Sequence, residues 1–178
     1  IESKKAIFAS SKGSPVISMG CDASGIHGVS VHQDLTMTIL NVQRRETTRL
    51  PLFGHKRFPT QVSVNPLGTK AATGDESGLI VLREIPSGRI IHEFSGHTDS
   101  ISHLIISNDG RQLVSASKDK VLILWDLETG RRIQKFEGHL IGLTAVGITP
   151  DSRMIVSADE NGTVIIWSPS GKIIAKFN

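Results

Sequence analysis

Short runs in which apolar and polar residues alternate, rich in Val, Ile and Thr, follow one another along almost the whole chain. Residues 15–20, 26–31, 36–42, 79–85, 121–125 and 163–167 are runs of this kind. Alternation over a few residues, with β-branched enrichment, predicts strands, and nothing in the chain reads as a helix. The punctuation agrees. Asp22-Ala23-Ser24-Gly25, Asn65-Pro66-Leu67-Gly68, Asn108-Asp109-Gly110, Pro150-Asp151-Ser152 and Glu160-Asn161-Gly162 are turn sequences. Ser87-Gly88, Thr129-Gly130 and Ser170-Gly171 mark a further turn before the last strand of each unit. The expectation is an all-β chain of short antiparallel strands.

The strands come in groups with a period. Gly54-His55, Gly96-His97 and Gly138-His139 stand 42 residues apart, twice, with no gap. A fixed period of this length indicates a repeat architecture. The units are 54–95, 96–137 and 138–178, preceded by a diverged unit over 14–53. Residues 1–13 hold a strand at 5–9 that is similar to 132–136, the strand before a Gly-His, and so read as the end of a preceding repeat plus a loop. Within 14–53, residues 44–46 read as the start of a polar loop and 49–53 as the segment closing the unit.

Composition changes this picture little. Hydrophobic residues make up 38 % and charged residues 21 % of the chain, near globular norms, which excludes wholesale disorder. A net charge of +3 is too small to argue nucleic-acid binding. Cys21 is the only cysteine, so neither a disulfide framework nor a cysteine zinc cluster is available, and an intracellular setting, cytoplasmic or nuclear, fits. No apolar run approaches the roughly 20 residues that span a bilayer.

The Gly-His opening, the Trp125-Asp126 close and the period together resemble the WD40-repeat family, over nearly the whole chain and most closely from Gly54 onward. The resemblance implies a β-propeller with one four-stranded antiparallel sheet per repeat: about four blades here, as part of a seven-bladed ring. It also implies a hydrogen-bonded tetrad of His, Ser or Thr, Asp and Trp. The third unit would supply His97, Ser115, Asp119 and Trp125, making its blade the best anchored. The fourth would supply His139, Ser157 and Trp167, with Asn161 in the place of the Asp. The second keeps His55 and Thr73 but has Ser77 and Arg83, and is expected to be the softest. The first keeps Ser30 and Asp34, with Leu40 at the Trp position.

By the same resemblance, partners contact two positions at the start of the innermost strand and one before the tetrad Asp. Here these are Phe58, Thr60 and Glu76, then Ser100, Ser102 and Lys118, then Gly142, Thr144 and Glu160. The implied function is a non-catalytic scaffold presenting rigid loops to protein or peptide partners, held beside the remaining blades of the same propeller. Two alternatives stand behind it: a regulatory or sensor array attached to an NTPase or other signalling domain, and association with nucleic acid or chromatin.

Other signals are weaker. Ser, His and Asp in one repeat imitate a hydrolase triad, but no G-x-S-x-G elbow accompanies Ser115. His92-Glu93 is followed by His97 at i+5, where a zincin needs i+4 on a helix. No phosphate-binding glycine loop occurs, so neither metal nor cofactor is expected. Asn161-Gly162-Thr163 matches a glycosylation sequon, although the repeat requires a hairpin turn at that place. Lys4-Lys5, Arg44-Arg45, Lys56-Arg57 and Arg131-Arg132 lie in separate loops without interleaved aromatics, unlike single-strand nucleic-acid binders. Leu127-Glu128 after Trp125-Asp126 excludes the W-D-x-R box by which some WD40 proteins dock cullin ligases.

Overall fold

Strands this short, apolar on both faces near the middle of each unit, are stable only when sheets cover them from either side. The computed structural model, which describes residues 14–178, shows that arrangement. Its strands form four separate four-stranded antiparallel sheets, each built from consecutive strands in simple order. The first holds β1 (Val16–Cys21), β2 (His27–His32), β3 (Thr36–Asn41) and β4 (Glu46–Pro51). The second holds β5 (Pro59–Val64), β6 (Lys70–Asp75), β7 (Ile80–Glu84) and β8 (Ile90–Phe94). The third holds β9 (Ile101–Ile106), β10 (Gln112–Ser117), β11 (Val121–Asp126) and β12 (Arg132–Glu137). The fourth holds β13 (Leu143–Ile148), β14 (Ile155–Asp159), β15 (Val164–Trp167) and β16 (Ile173–Phe177).

The described residues contain no helix, and so none long and apolar enough to cross a membrane. The strand expected at 5–9 lies outside the described residues. One boundary differs from expectation: β4 begins at Glu46, within the stretch read as a polar loop. As the fourth strand of its sheet it is exposed along most of its length, so its sequence carries no alternation to read.

The core is three seams rather than one centre. Sheets one and two bury Val29, Val31, Met37 and Ile39 against Val62, Val64 and Ala71. Sheets two and three bury Ala72, Ile80, Leu82 and Phe94 against Ile101, Leu104, Leu113, Ile123 and Trp125. Sheets three and four bury Val114, Ala116, Leu122, Leu124 and Phe136 against Leu143, Val146, Ile155, Ile165 and Trp167. In β10 and β11 the alternation divides the side chains between two seams: Leu113, Ile123 and Trp125 face one neighbour, Val114, Leu122 and Leu124 the other. A strand buried on both faces loses the polar alternate positions, which is why these strands read as nearly continuous apolar runs.

First strands of successive sheets lie against one another, β1 on β5, β5 on β9 and β9 on β13, so the sheets fan out from a shared inner edge. Side chains stitch that edge. Ser18 Oγ accepts from the Val62 N–H at 3.3 Å, and Ser63 Oγ from the Ile106 N–H at 3.1 Å. At the outer edge the fourth strand reaches forward. Phe94 of β8 packs on the Trp125 ring at 5.2 Å between centroids, and Phe136 of β12 on Trp167 at 5.7 Å. Each ring pair joins one sheet to the next. Phe94→Ala should cost about 3–5 kcal/mol, because the seam cannot collapse onto the space left. Chemical denaturation of the two proteins checks this, and a loss below about 1 kcal/mol would mean the ring pair is not a joint.

Candidate functional site

The histidine of each Gly-His sits in the loop before the first strand of a sheet and turns back into it. The glycine makes room. A Cβ on Gly138 would come within 2.8 Å of the Trp167 ring, and one on Gly96 within 3.0 Å of Trp125. In the third sheet His97 Nδ1 lies 2.9 Å from Asp119 and Nε2 2.8 Å from Ser115 Oγ. The Trp125 indole N–H donates to the same Oγ at 2.8 Å. An ionised Asp119 can only accept, so Nδ1 carries the proton and Nε2 is left to accept from the Ser115 hydroxyl. The fourth sheet repeats the set: His139 to Asp159 at 2.8 Å, His139 to Ser157 at 2.7 Å, and Trp167 to Ser157 at 2.8 Å.

Two carboxylates differ from the residues expected. The partner of His139 is Asp159, at the end of β14. Asn161 is exposed, and its backbone N–H donates to Asp159 at 3.0 Å. The partner of His55 is Asp75, at the end of β6, at 2.7 Å, while Ser77 donates its hydroxyl to that same carboxylate at 2.6 Å. A carboxylate can reach Nδ1 either from the last residue of the second strand or from two residues later in the turn. Only the third sheet, with Ser117 ending β10, uses the turn. The fourth sheet is therefore as fully anchored as the third. The second departs from the set in one residue, Arg83, with His55 Nε2 held by Thr73 at 2.8 Å.

The first sheet is rebuilt. Asp34 is exposed and pairs with Arg49 at 2.6 Å. The buried imidazole belongs to His32, at the position of Asp75 and Asp159. Its Nε2 lies 3.1 Å from Ser30 Oγ and 2.9 Å from Thr38 Oγ1, and its Nδ1 3.1 Å from the Ser14 carbonyl. Sequence reasoning missed it, because no repeat signal places a histidine inside a strand. Leu40 is half-buried where the other sheets carry Trp or Arg83.

Burial alone would raise the Asp75, Asp119 and Asp159 carboxyls. Hydrogen bonds from His55, His97 and His139 and from turn N–H groups outweigh it and hold all three below the usual value. Arg83 has no such compensation. Its side chain is 0 % exposed, one amino group donates to the Phe53 carbonyl, and Nε and Nη1 meet no acceptor among the described residues. Burial lowers its pKa to about 10, against the pull of Glu93.

The positions expected to meet partners gather at one end of the sheets, where the Gly-His loops and the turns between second and third strands lie. Phe58 is 50 % exposed, and Glu76, Lys118 and Glu160 are exposed, with Lys118 and Glu160 paired across the seam of sheets three and four. Thr60 and Thr144 are bulge residues: each is skipped in the pairing of its strand, and its hydroxyl donates to a backbone carbonyl of the neighbouring strand, Gly74 and Ala158. Ser102 is skipped in the same way, and its buried hydroxyl meets no partner among the described residues. Bulges re-aim side chains at strand ends, and this one recurs in all four sheets, with Val16/Ser18 flanking it in the first. Ser100 is half-buried, and Gly142 is buried against Lys118. No group of three metal-ligating side chains occurs among the described residues. Asn161-Gly162 forms the hairpin turn, with Gly162 at φ 84°.

Four-stranded antiparallel sheets that share an inner edge and pack face to face are consistent with blades of a β-propeller. A family model described as WD domain, G-beta repeat, matches residues 88–126 and 130–168. Those two stretches are WD40 repeats, and the four sheets are consistent with WD40 blades. No curated protein matches the chain.

Two outcomes follow from this geometry. Arg83→Trp would replace a buried cation, two of whose nitrogens lack acceptors, with an indole able to donate to Thr73, as Trp125 and Trp167 donate to their serines. A gain of about 1–4 kcal/mol in denaturation is expected, and a loss would show that the guanidinium is satisfied where it lies. Acid acts on the carboxylates. A group with a folded pKa below its unfolded value stabilises the fold above the unfolded pKa of about 3.9 and loses that contribution as pH falls through the folded pKa. Denaturation midpoints should therefore drop below about pH 4, and Asp159→Asn should flatten the drop while lowering stability at neutral pH. An unchanged acid limb in Asp159→Asn would rule the carboxylate out as its source.

Proposed function

We propose that this chain is a non-catalytic intracellular scaffold that holds protein or peptide partners at the end where its Gly-His loops gather. The observation that carries the reading is the state of the tetrads. Ser115 Oγ is fully buried and already engaged by His97, Trp125 and the Ile123 carbonyl, so the constellation that imitates a hydrolase offers no nucleophile. The same bonds fix the loop that each histidine begins. Loops ordered in advance lose little conformational freedom on binding, which is what a docking surface requires.

The reading includes further blades of the same propeller. Val114, Ala116, Leu122, Leu124 and Phe136 are buried under the fourth sheet. Their counterparts on the outward face of the fourth sheet, Val156, Ala158, Val164 and Ile166, are only half-buried, and Phe177 is 57 % exposed. A further sheet would cover them as the fourth covers the third.

Affinity capture with quantified partner recovery tests the docking end. Phe58→Ala and Lys118→Glu should reduce recovery at least severalfold, whereas Leu67→Ser and Arg153→Glu, exposed at the opposite end, should leave it unchanged. Loss confined to the opposite-end variants, or labelling of Ser115 by a serine-directed fluorophosphonate, would overturn the proposal.

A further inference from the structure

Between the first and second sheets, at the Gly-His end, lies a pocket of about 240 Å³ lined by Leu35, Lys56, Arg57, Phe58 and Glu76. That is room for one large side chain. Its walls are set before anything binds. The Phe58 carbonyl accepts from the Glu76 N–H at 3.1 Å, and the loop starts at His55, which Asp75 and Thr73 hold from both ring nitrogens. Leu35 closes the other side from the turn between β2 and β3, at φ 58°. The equivalent turn positions are Gly78, Lys120 and Gly162, all also at positive φ. A leucine is an uncommon occupant of that conformation, and here it places an apolar side chain opposite Phe58.

The charge is as particular as the shape. Lys56 and Arg57 are exposed, and neither pairs with a carboxylate among the described residues. The same loop positions hold Thr98-Asp99-Ser100 in the third unit and Leu140-Ile141-Gly142 in the fourth, so neither repeats the cation pair beside an aromatic ring. Two free cations beside an apolar slot suit a ligand with an apolar side chain and an adjacent carboxylate. A polyanion is disfavoured, because Glu76 lines the pocket itself and Asp34, Asp99 and Glu160 lie at the same end.

We propose that this pocket receives a peptide segment in which a large apolar residue neighbours an acidic one, the apolar side chain seated between Leu35 and Phe58 and the carboxylate against Lys56 and Arg57. The inference rests on the scaffold reading above and names the class of partner for it.

A random heptapeptide phage library selected on the full chain tests it. Enriched peptides should carry an acidic residue within two positions of Phe, Trp, Leu or Met. A synthetic copy of one, measured by fluorescence anisotropy, should bind at least about tenfold more weakly to Phe58→Ala and to the Lys56→Ala/Arg57→Ala double variant. Binding to Arg153→Glu, exposed at the opposite end of the sheets, should stay within about twofold. Thermal melts confirm that each variant is folded. Enriched peptides that ignore the pocket variants but are lost in Lys118→Glu would sink the pocket and leave the scaffold reading standing. No enrichment at all would count against both. Displacement of the peptide by a single-stranded oligonucleotide or inorganic phosphate at comparable concentration would make this a general anion site and overturn the peptide assignment.

Discussion

A buried imidazole has two ring nitrogens, and leaving either without a partner costs on the order of 1–3 kcal/mol. Much of this structure follows from meeting that requirement three times over. His55, His97 and His139 each find a carboxylate on one side and a hydroxyl on the other. The hydroxyl belongs to the second strand and the carboxylate to the end of that strand or the turn after it, so one ring fixes three parts of a sheet relative to one another. In two sheets the hydroxyl also receives an indole N–H, which orients the ring onto which the preceding sheet places Phe94 or Phe136. Local hydrogen bonding thus becomes packing between sheets.

The same chain of contacts explains why sequence repeat and sheet do not coincide. The matched stretch 88–126 begins with β8, the last strand of the second sheet, and ends with β11 in the third. A unit that straddles two sheets cannot fold alone, because its outer strand belongs to one sheet and its other three to the next. Neighbouring sheets are coupled by covalent continuity as well as by buried area, the nearest-neighbour cooperativity of repeat proteins.

The strands, their antiparallel order and the seams were legible because alternation and turn chemistry are local properties that burial on two faces amplifies. The misplaced carboxylates show where locality ends. Reading Asp119 as the pattern led to Asn161 and Ser77, whereas Asp75 and Asp159 each stand 20 residues after a Gly-His histidine and so shared a register of their own. Two positions reach one nitrogen because the turn folds back on the strand end, which no linear spacing reveals. His32 was illegible for a related reason: it serves from inside a strand the hydroxyls that a loop histidine serves elsewhere. The recurring bulge was equally hidden, since a skipped residue looks like any other alternating position until its neighbours are paired.

What persists across the four sheets is satisfaction of the imidazole rather than a set of residue types. The first sheet abandons the loop histidine, the carboxylate and the indole, and still gives His32 a partner on each nitrogen. The second keeps histidine, threonine and carboxylate but accepts Arg83, two of whose buried nitrogens meet no acceptor among the described residues. That gap lies beside the seam where the fold shows its least regular features: Leu35 at positive φ, an exposed Phe58, and Lys56 and Arg57, which pair with no carboxylate among the described residues. Departures from a locally consistent pattern concentrate where selection acts on something other than stability. Those departures meet at one end of one seam, which sets the junction of the first and second sheets apart from the regular third and fourth.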